Sequence, residues 1–173
     1  MRFLFFIFFL SFNSVFAQTI LLDEDFSTTT QDGLPDLWSQ STLSNDGGWL
    51  SGTSSSLQSQ WWGIAPHGTF VATNDDACDC NKSEDYLITP PLNFGDVDNA
   101  ILSFASFFSG ETFKGNTDRA TIEYSLDGGD SWIVLTEIVG NGNSDNTVWE
   151  NHSVNLSEIL EYNDVLLGFH YDD

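Results

Sequence analysis

The sequence predicts an all-β domain built from antiparallel strands. Short stretches rich in β-branched and aromatic residues recur along the chain, and Gly, Asn, Asp and Ser bound them. No long stretch has the 3.6-residue apolar period of an amphipathic helix, and no internal repeat indicates a propeller. Because the strands are short and the loops between them long, we expect an antiparallel β-sandwich of jelly-roll type.

The N-terminus has the layout of a secretory signal peptide. Arg2 precedes an unbroken apolar run over residues 3–10, and Val15 and Ala17 stand three and one residues before the cut expected at Gln18. The run is too short to span a bilayer. We therefore predict a signal peptide over residues 1–17 and one domain over residues 18–173. The protein is then secreted or held at the cell surface, with no membrane insertion after cleavage.

Charge narrows the possible partners. The chain has 26 acidic and 4 basic residues and a formal net charge of −22. Such a surface repels nucleic acid phosphates and anionic lipids, so we expect neither as a ligand. It suits calcium. The two cysteines, Cys78 and Cys80, favour a local or intermolecular disulfide over a metal site, although two free thiols are also consistent with the sequence.

The pattern places strands in sequence order, separated by polar loops. Predicted strands cover residues 19–25, 69–73, 85–89, 100–108, 119–126, 132–138 and 164–171. In "RATIEYSL" the residues Ala120, Ile122, Tyr124 and Leu126 share one face, so this strand alternates. Residues 40–60 read as a long polar loop, and "NLSEIL" as a single helical turn.

The octet "SLDGGDSW", residues 125–132, fits the S-x-D-x-G-x-S/T-W pattern of an Asp box, which is best known from sialidases. We interpret it as a hairpin turn. Gly128 and Gly129 permit positive φ values, and the side chains of Ser125 and Asp127 can bond backbone amides across the turn. Trp132 then covers the hairpin. Because every residue has a structural role, the octet predicts architecture and not hydrolysis.

Several motifs in order resemble one family. They are "LDEDFS", "LPDLW", "NDGGW", "HGTFVATN", "EDYLITPPL", "IEYSLDGGDSW", "VWENHSVNLSE" and "VLLGFHYDD". Together they resemble the cleaved-adhesin or choice-of-anchor type of jelly-roll domain, which is MAM-like in architecture and common in secreted Bacteroidetes proteins. That family closes with a Trp-x-(Ile/Leu)-Asp-Asp-Val strand. The sequence has no such motif, so we expect this domain to be incomplete at its C-terminus, with further domains downstream.

Calcium is the cofactor that both the chemistry and the resemblance favour. It takes six to eight hard oxygen ligands, which clustered carboxylates and loop carbonyls supply. The candidate ligands are Asp23, Glu24, Asp46, Asp75 and the adjacent Asp76. The resemblance implies a structural ion, with Glu24 as the best-matched position. None of these residues follows EF-hand spacing, so the site would assemble from separate loops. An ordinary solvated surface is the alternative for each carboxylate.

The candidate ligand-binding residues are Trp49, Trp61 and Trp62, with Trp149 as a further aromatic candidate. Aromatic faces stack on sugar rings, and Trp49 and Trp61 flank a polar loop. If extended, Trp61 and Trp62 point to opposite sides of the backbone. Packing in the core is the alternative for each of them.

We therefore expect a non-catalytic adhesion or ligand-binding module of a larger exported protein, with a glycan or a protein as its ligand. The sequence contains neither a G-x-S-x-G elbow nor an H-E-x-x-H pair. The alternatives are an ancillary domain of a secreted peptidase or glycoside hydrolase, whose catalysis would lie in a separate domain, and a structural spacer.

Overall fold

A computed structural model describes residues 18–173. The predicted signal peptide, residues 1–17, lies outside the described residues. The described chain consists mostly of strands and loops with very few helical residues, and its strands pair antiparallel, which confirms the all-β class. Within this part of the chain, no helix is long and apolar enough to cross a membrane.

Residues 18–173 form eleven strands and two short helices. The strands are β1 Ser39–Ser41, β2 Leu50–Gly52, β3 Phe70–Ala72, β4 Asp85–Ile88, β5 Ile101–Ser106, β6 Thr112–Phe113, β7 Asn116–Thr117, β8 Arg119–Ser125, β9 Ile133–Ile138, β10 Glu150–Asn155 and β11 Leu166–Asp172. The helices are α1 Ser54–Leu57 and α2 Asp75–Cys78, and single 3₁₀ turns cover Ser144–Asn146 and Ser157–Ile159.

The main sheet has five strands in the order β1-β4-β11-β8-β9. Strand β11 lies at its centre and pairs antiparallel with both β4 and β8. Strands β8 and β9 form a hairpin with a register shift between Ile122 and Glu123. The backbone amides and carbonyls of the central strands are thereby bonded on both sides.

A two-stranded ribbon of β5 and β10 contacts one face of the main sheet. Leu102 of β5 and Val154 of β10 pack against a buried cluster that includes Tyr124 and Leu167 of the sheet. The ring of Phe104 also meets that of Phe169 edge to face, with centroids 5.3 Å apart. We call this side of the sheet the inner face. The side chains of β5 are only half buried or exposed, so the ribbon covers the inner face incompletely.

A second, smaller core lies beside the first, under the β2–β3 hairpin. Leu57, Ile64 and Phe70 are its buried residues. The partly buried aromatic rings of Trp62, Phe107 and Trp149 pack against them. This cluster brings the tryptophan-containing loop next to the end of β5.

Six predicted strands are confirmed, and two expectations are wrong. Residues 19–25 form no strand; the Glu24 carboxylate instead accepts a hydrogen bond from the Phe26 amide at 2.6 Å, a local bond that competes with strand pairing. Residues 40–60 are not simply a loop, because they contain β2, α1 and the end of β1. Strand β10 was not predicted, since its residues Glu150, Asn151 and His152 are polar. The helical turn at 157–159 is present.

The Asp box forms the predicted turn on the opposite, outer face of the sheet. Gly128 and Gly129 have φ values of 77° and 98°. The Ser125 hydroxyl accepts from the Gly129 amide at 2.8 Å, and Asp127 accepts from the amide of Ser131 at 2.9 Å. Hydrogen bonds from Ser131, followed by one from Ser125, lower the pKa of Asp127 to about 2. The side chains of Ser125, Asp127 and Ser131 therefore form a closed local network within the octet.

Candidate ligand-binding groove

An open groove of about 1780 Å³ lies between the inner face of the sheet and the surrounding strands. It exists because the β5–β10 ribbon covers the inner face only partly. The lining combines apolar and acidic side chains, including Trp61, Trp62, Phe104, Phe107 and Trp149 among the aromatic residues and Asp75, Asp118 and Asp173 among the acids. The groove is larger in volume than a typical pocket for a small ligand, which encloses roughly 300–1,000 Å³. Its size fits an extended chain.

One wall of the groove is an aromatic cluster centred on Trp149. The His67 ring stacks on Trp149 at 4.2 Å, and Phe70 meets it edge-on at 5.0 Å. The Trp149 indole nitrogen donates to the Ala65 carbonyl at 2.7 Å, which fixes the ring. Trp62 packs on Phe107 at 5.5 Å. These rings form a rigid apolar surface.

Trp61 stands apart from that packing. Its side chain is 71% exposed, although it lines the groove, whereas the adjacent Trp62 is half buried in the smaller core. The Ser59 hydroxyl accepts from the backbone amides of both residues, at 3.1 and 2.9 Å. The chain thus turns one indole inward and the other towards solvent. Trp61 is the candidate residue whose ring is most available to a ligand.

Trp49 also lines the groove but has structural partners. Its indole nitrogen donates to the Asp85 carbonyl at 3.1 Å, and its amide donates to the Gln40 side chain at 2.7 Å. These bonds anchor the loop after β1 to β4. The ring is half buried.

The other notable part of the lining is a group of carboxylates, which we call the acidic end: Asp75, Asp76, Glu111, Asp118 and Asp173. Burial raises the pKa of Asp118 to about 6, and the negative charges of Asp75, Asp173, Asp76 and Glu111 add to this effect. The Tyr171 hydroxyl donates to Asp75 at 3.0 Å, and burial together with nearby carboxylates raises the pKa of Tyr171. Asp118 therefore lies in a locally negative environment.

The five predicted calcium ligands are placed in different ways. Asp23, Glu24, Asp75 and Asp76 line the groove, whereas Asp46 does not. Asp46 instead bonds the Lys82 ammonium, with its two carboxylate oxygens 2.6 and 2.7 Å from Nζ. Burial raises the pKa of Asp46, but bonds from Lys82, Ser44 and Gly48 outweigh this, so the pKa lies below its ordinary value.

Within residues 18–173, the only trio of potential metal ligands with atoms mutually within 4.8 Å is Asp46, Cys78 and Cys80. Its two cysteines form a local disulfide, one of the pairings that the sequence allowed. Asp46 bonds Lys82. Asp23, Glu24, Asp46 and Asp75 therefore do not meet in one compact group.

Little in the sequence predicts the acidic end. Asp118 lies next to β8 and Asp173 follows β11, so these two acids are close only because β8 and β11 pair in the sheet. Asp75, on α2, reaches the same place from a third segment. The one available signal was the repeated acids in "NDDACD", which already indicated Asp75 and Asp76.

Comparisons with family models, with curated proteins and with solved structures found no match to this chain.

Proposed function

We propose that residues 18–173 form a non-catalytic, extracellular ligand-binding module of jelly-roll type that binds glycan chains in the groove. The observation that carries this proposal is the position of Trp61, a 71% exposed indole on the wall of a groove of about 1780 Å³. Aromatic planes that flank a long cleft suit stacking on successive sugar rings. The signal peptide predicted over residues 1–17 supports a secreted or cell-surface location.

The charge of the groove limits which glycans fit. Ten carboxylates line it, against a single cationic side chain, Lys114. The acidic members are Asp23, Glu24, Asp75, Asp76, Asp79, Asp96, Asp98, Glu111, Asp118 and Asp173. Neutral or amine-bearing sugars avoid repulsion from these groups, whereas sialic and uronic acids do not. We therefore propose neutral or basic glycans as the ligand class.

A glycan array tests this function directly. On the array, the mature chain should bind neutral or amine-bearing glycans and should not bind acidic ones. Equal retention of acidic glycans would contradict the proposal. An array that stays blank would also contradict it, and a pull-down with defined matrix proteins would then separate a protein ligand from a spacer role.

Calcium is a further part of the proposal, located at the acidic end. Of the predicted ligands, Asp75 and Asp76 lie there, and Glu111, Asp118 and Asp173 supply additional carboxylate oxygens nearby. Hard oxygens of this type are the ligands that calcium prefers. Calorimetric titration should show binding heat, and calcium should raise the melting temperature. If calcium produces no binding heat and no thermal shift, the ion is removed from the proposal.

A further inference from the structure

Lys82 differs from the other cations of residues 18–173 in its environment. Lys114 and Arg119 are exposed, whereas the Lys82 side chain has no exposed surface. Its Nζ lies 2.6 and 2.7 Å from the two carboxylate oxygens of Asp46 and 3.4 Å from Oδ2 of Asp85. A nitrogen this close to both oxygens lies within roughly 3 Å of the carboxyl carbon, so attack needs only a rotation of the carboxyl group that turns its face to the amine.

We propose that Lys82 and Asp46 form an intramolecular isopeptide bond, with Asp85 transferring the protons. The neutral Lys82 amine attacks Cγ of the protonated Asp46. The Nζ–Cγ bond forms, one Cγ–O bond breaks, and that oxygen leaves as water. Starting from ammonium and carboxylate, two protons move from nitrogen to the departing oxygen. The net charge is unchanged, and no oxidant, metal or cofactor is needed.

Asp85 is the acid next to the reacting pair. Its carboxylate is fully buried, and the hydroxyls of Thr42 and Thr73 both donate to it, Thr73 at 2.6 Å. These bonds hold Oδ2 at 3.4 Å from Nζ. Proton transfer takes place over roughly 2.6–3.2 Å, so Nζ has to approach Asp85 by a few tenths of an ångström before this carboxylate accepts a proton from the amine and returns it to the leaving oxygen.

The complete burial of the Lys82 side chain favours the amide over the ion pair, while Asp46 keeps 25% of its side-chain surface exposed. Removing the ammonium from water has a large desolvation penalty, which attraction to the carboxylates only partly offsets. A neutral amide avoids much of this penalty. Lys82 and Asp46 are 36 residues apart, so the bond ties the loop after β1 to the segment that enters β4.

Intact mass spectrometry of the folded mature chain, after reduction of the Cys78–Cys80 disulfide, tests this inference. We expect a mass about 18 Da below that of the sequence, the loss of one water. Trypsin should fail to cut the unfolded chain after Lys82, because an acylated lysine is not a substrate. Full sequence mass together with cleavage at Lys82, in protein shown to be folded, would overturn the proposal.

Two variants separate this bond from other dehydrations. Asp46 precedes Gly47, and an Asp-Gly pair can also lose water by forming a succinimide. Lys82→Arg should restore the full mass if the isopeptide is present, whereas a succinimide would persist and so contradict the proposal. Asp85→Asn keeps both reacting groups and should slow bond formation roughly a hundredfold. Unchanged formation in Asp85→Asn would remove Asp85 from the mechanism.

Discussion

The two faces of the five-stranded sheet use similar residues in opposite ways. On the outer face, Glu123 accepts hydrogen bonds from Thr121 at 2.6 Å and Tyr86 at 3.1 Å, and the His170 ring nitrogen lies 3.0 Å away. At the inner groove, Asp118 is surrounded by other acids. Burial raises the pKa of Glu123, but its hydrogen bonds outweigh this and the pKa lies below its ordinary value, whereas the pKa of Asp118 rises to about 6.

Aromatic rings show the same contrast. On the outer face, Tyr86 stacks between His170 at 4.0 Å and Trp132 at 5.1 Å, and Trp132 lies over Gly168. In the groove, Trp61 has most of its surface in solvent. Around Glu123 and Trp132 the hydrogen-bonding groups and rings of the outer face are paired, while the groove contains the exposed Trp61 ring and the Asp118 carboxyl among like charges. Matched groups indicate a structural role, and unmatched groups indicate a place for a ligand.

The largest expected loss of stability comes from removing the Glu123 carboxylate, which is buried on the outer face. Glu123→Ala should destabilise the domain by about 3 kcal/mol, because Thr121, Tyr86 and His170 lose their acceptor. Glu137→Ala, on the neighbouring strand, is the matched control. Glu137 lies 3.7 Å from Arg119 with both side chains about half exposed, so its loss should change stability by at most about 1 kcal/mol. Chemical denaturation of both variants measures the difference, and equal losses would contradict a special role for Glu123.

The packing of Trp132 over the sheet gives the next effect. A Cβ at Gly168 would lie 2.8 Å from Cζ3 of Trp132, so Gly168→Ala should displace the indole and cost about 1–3 kcal/mol. Gly63→Ala is the control, because a Cβ there meets nothing within 4 Å. Thermal unfolding and near-UV circular dichroism should show lower stability and a changed tryptophan signal only for Gly168→Ala. A stable Gly168→Ala variant with an unchanged signal would show that this contact is loose.

How far the sequence predicts each region depends on how local its contacts are. The Asp box was predicted in detail because its hydrogen bonds all fall within residues 125–131. The β8–β9 hairpin follows from the same short segment. The ion pair between Lys82 and Asp46 joins residues 36 positions apart, and no local sequence pattern predicts it. The acidic end was missed for the same reason, because Asp75, Asp118 and Asp173 come from three distant segments.

Smaller changes in stability should come from one carboxyl group on each face, Asp118 and Asp127. The two contributions should depend on pH in opposite directions. The pKa of Asp118 is raised to about 6, so ionisation of this group opposes folding; the penalty is present above pH 6 and is relieved as the pH falls towards 3.8. Asp118→Asn should therefore stabilise the calcium-free protein by about 1 kcal/mol at pH 7.5, after allowance for solvent screening, and have little effect near pH 4.

Asp127→Asn is the counterpart on the Asp box. The pKa of Asp127 is lowered to about 2, so its ionisation favours folding above pH 3.8, and this contribution is lost as the pH falls through about 2. This variant should lower the melting temperature at pH 7.5. Melting temperatures measured in EDTA across the pH range check both substitutions. A shift in the same direction for both at pH 7.5 would contradict the contrast between the faces.

The most direct test of the groove as the ligand site compares Trp61→Ala with Tyr162→Ala. Both rings are exposed, at 71% and 47%, but only Trp61 lines the groove. Retention on the glycans selected by the array should fall at least tenfold for Trp61→Ala, with its melting temperature unchanged, and should stay the same for Tyr162→Ala. Undiminished retention by a folded Trp61→Ala variant, or equal loss in both, would contradict the account.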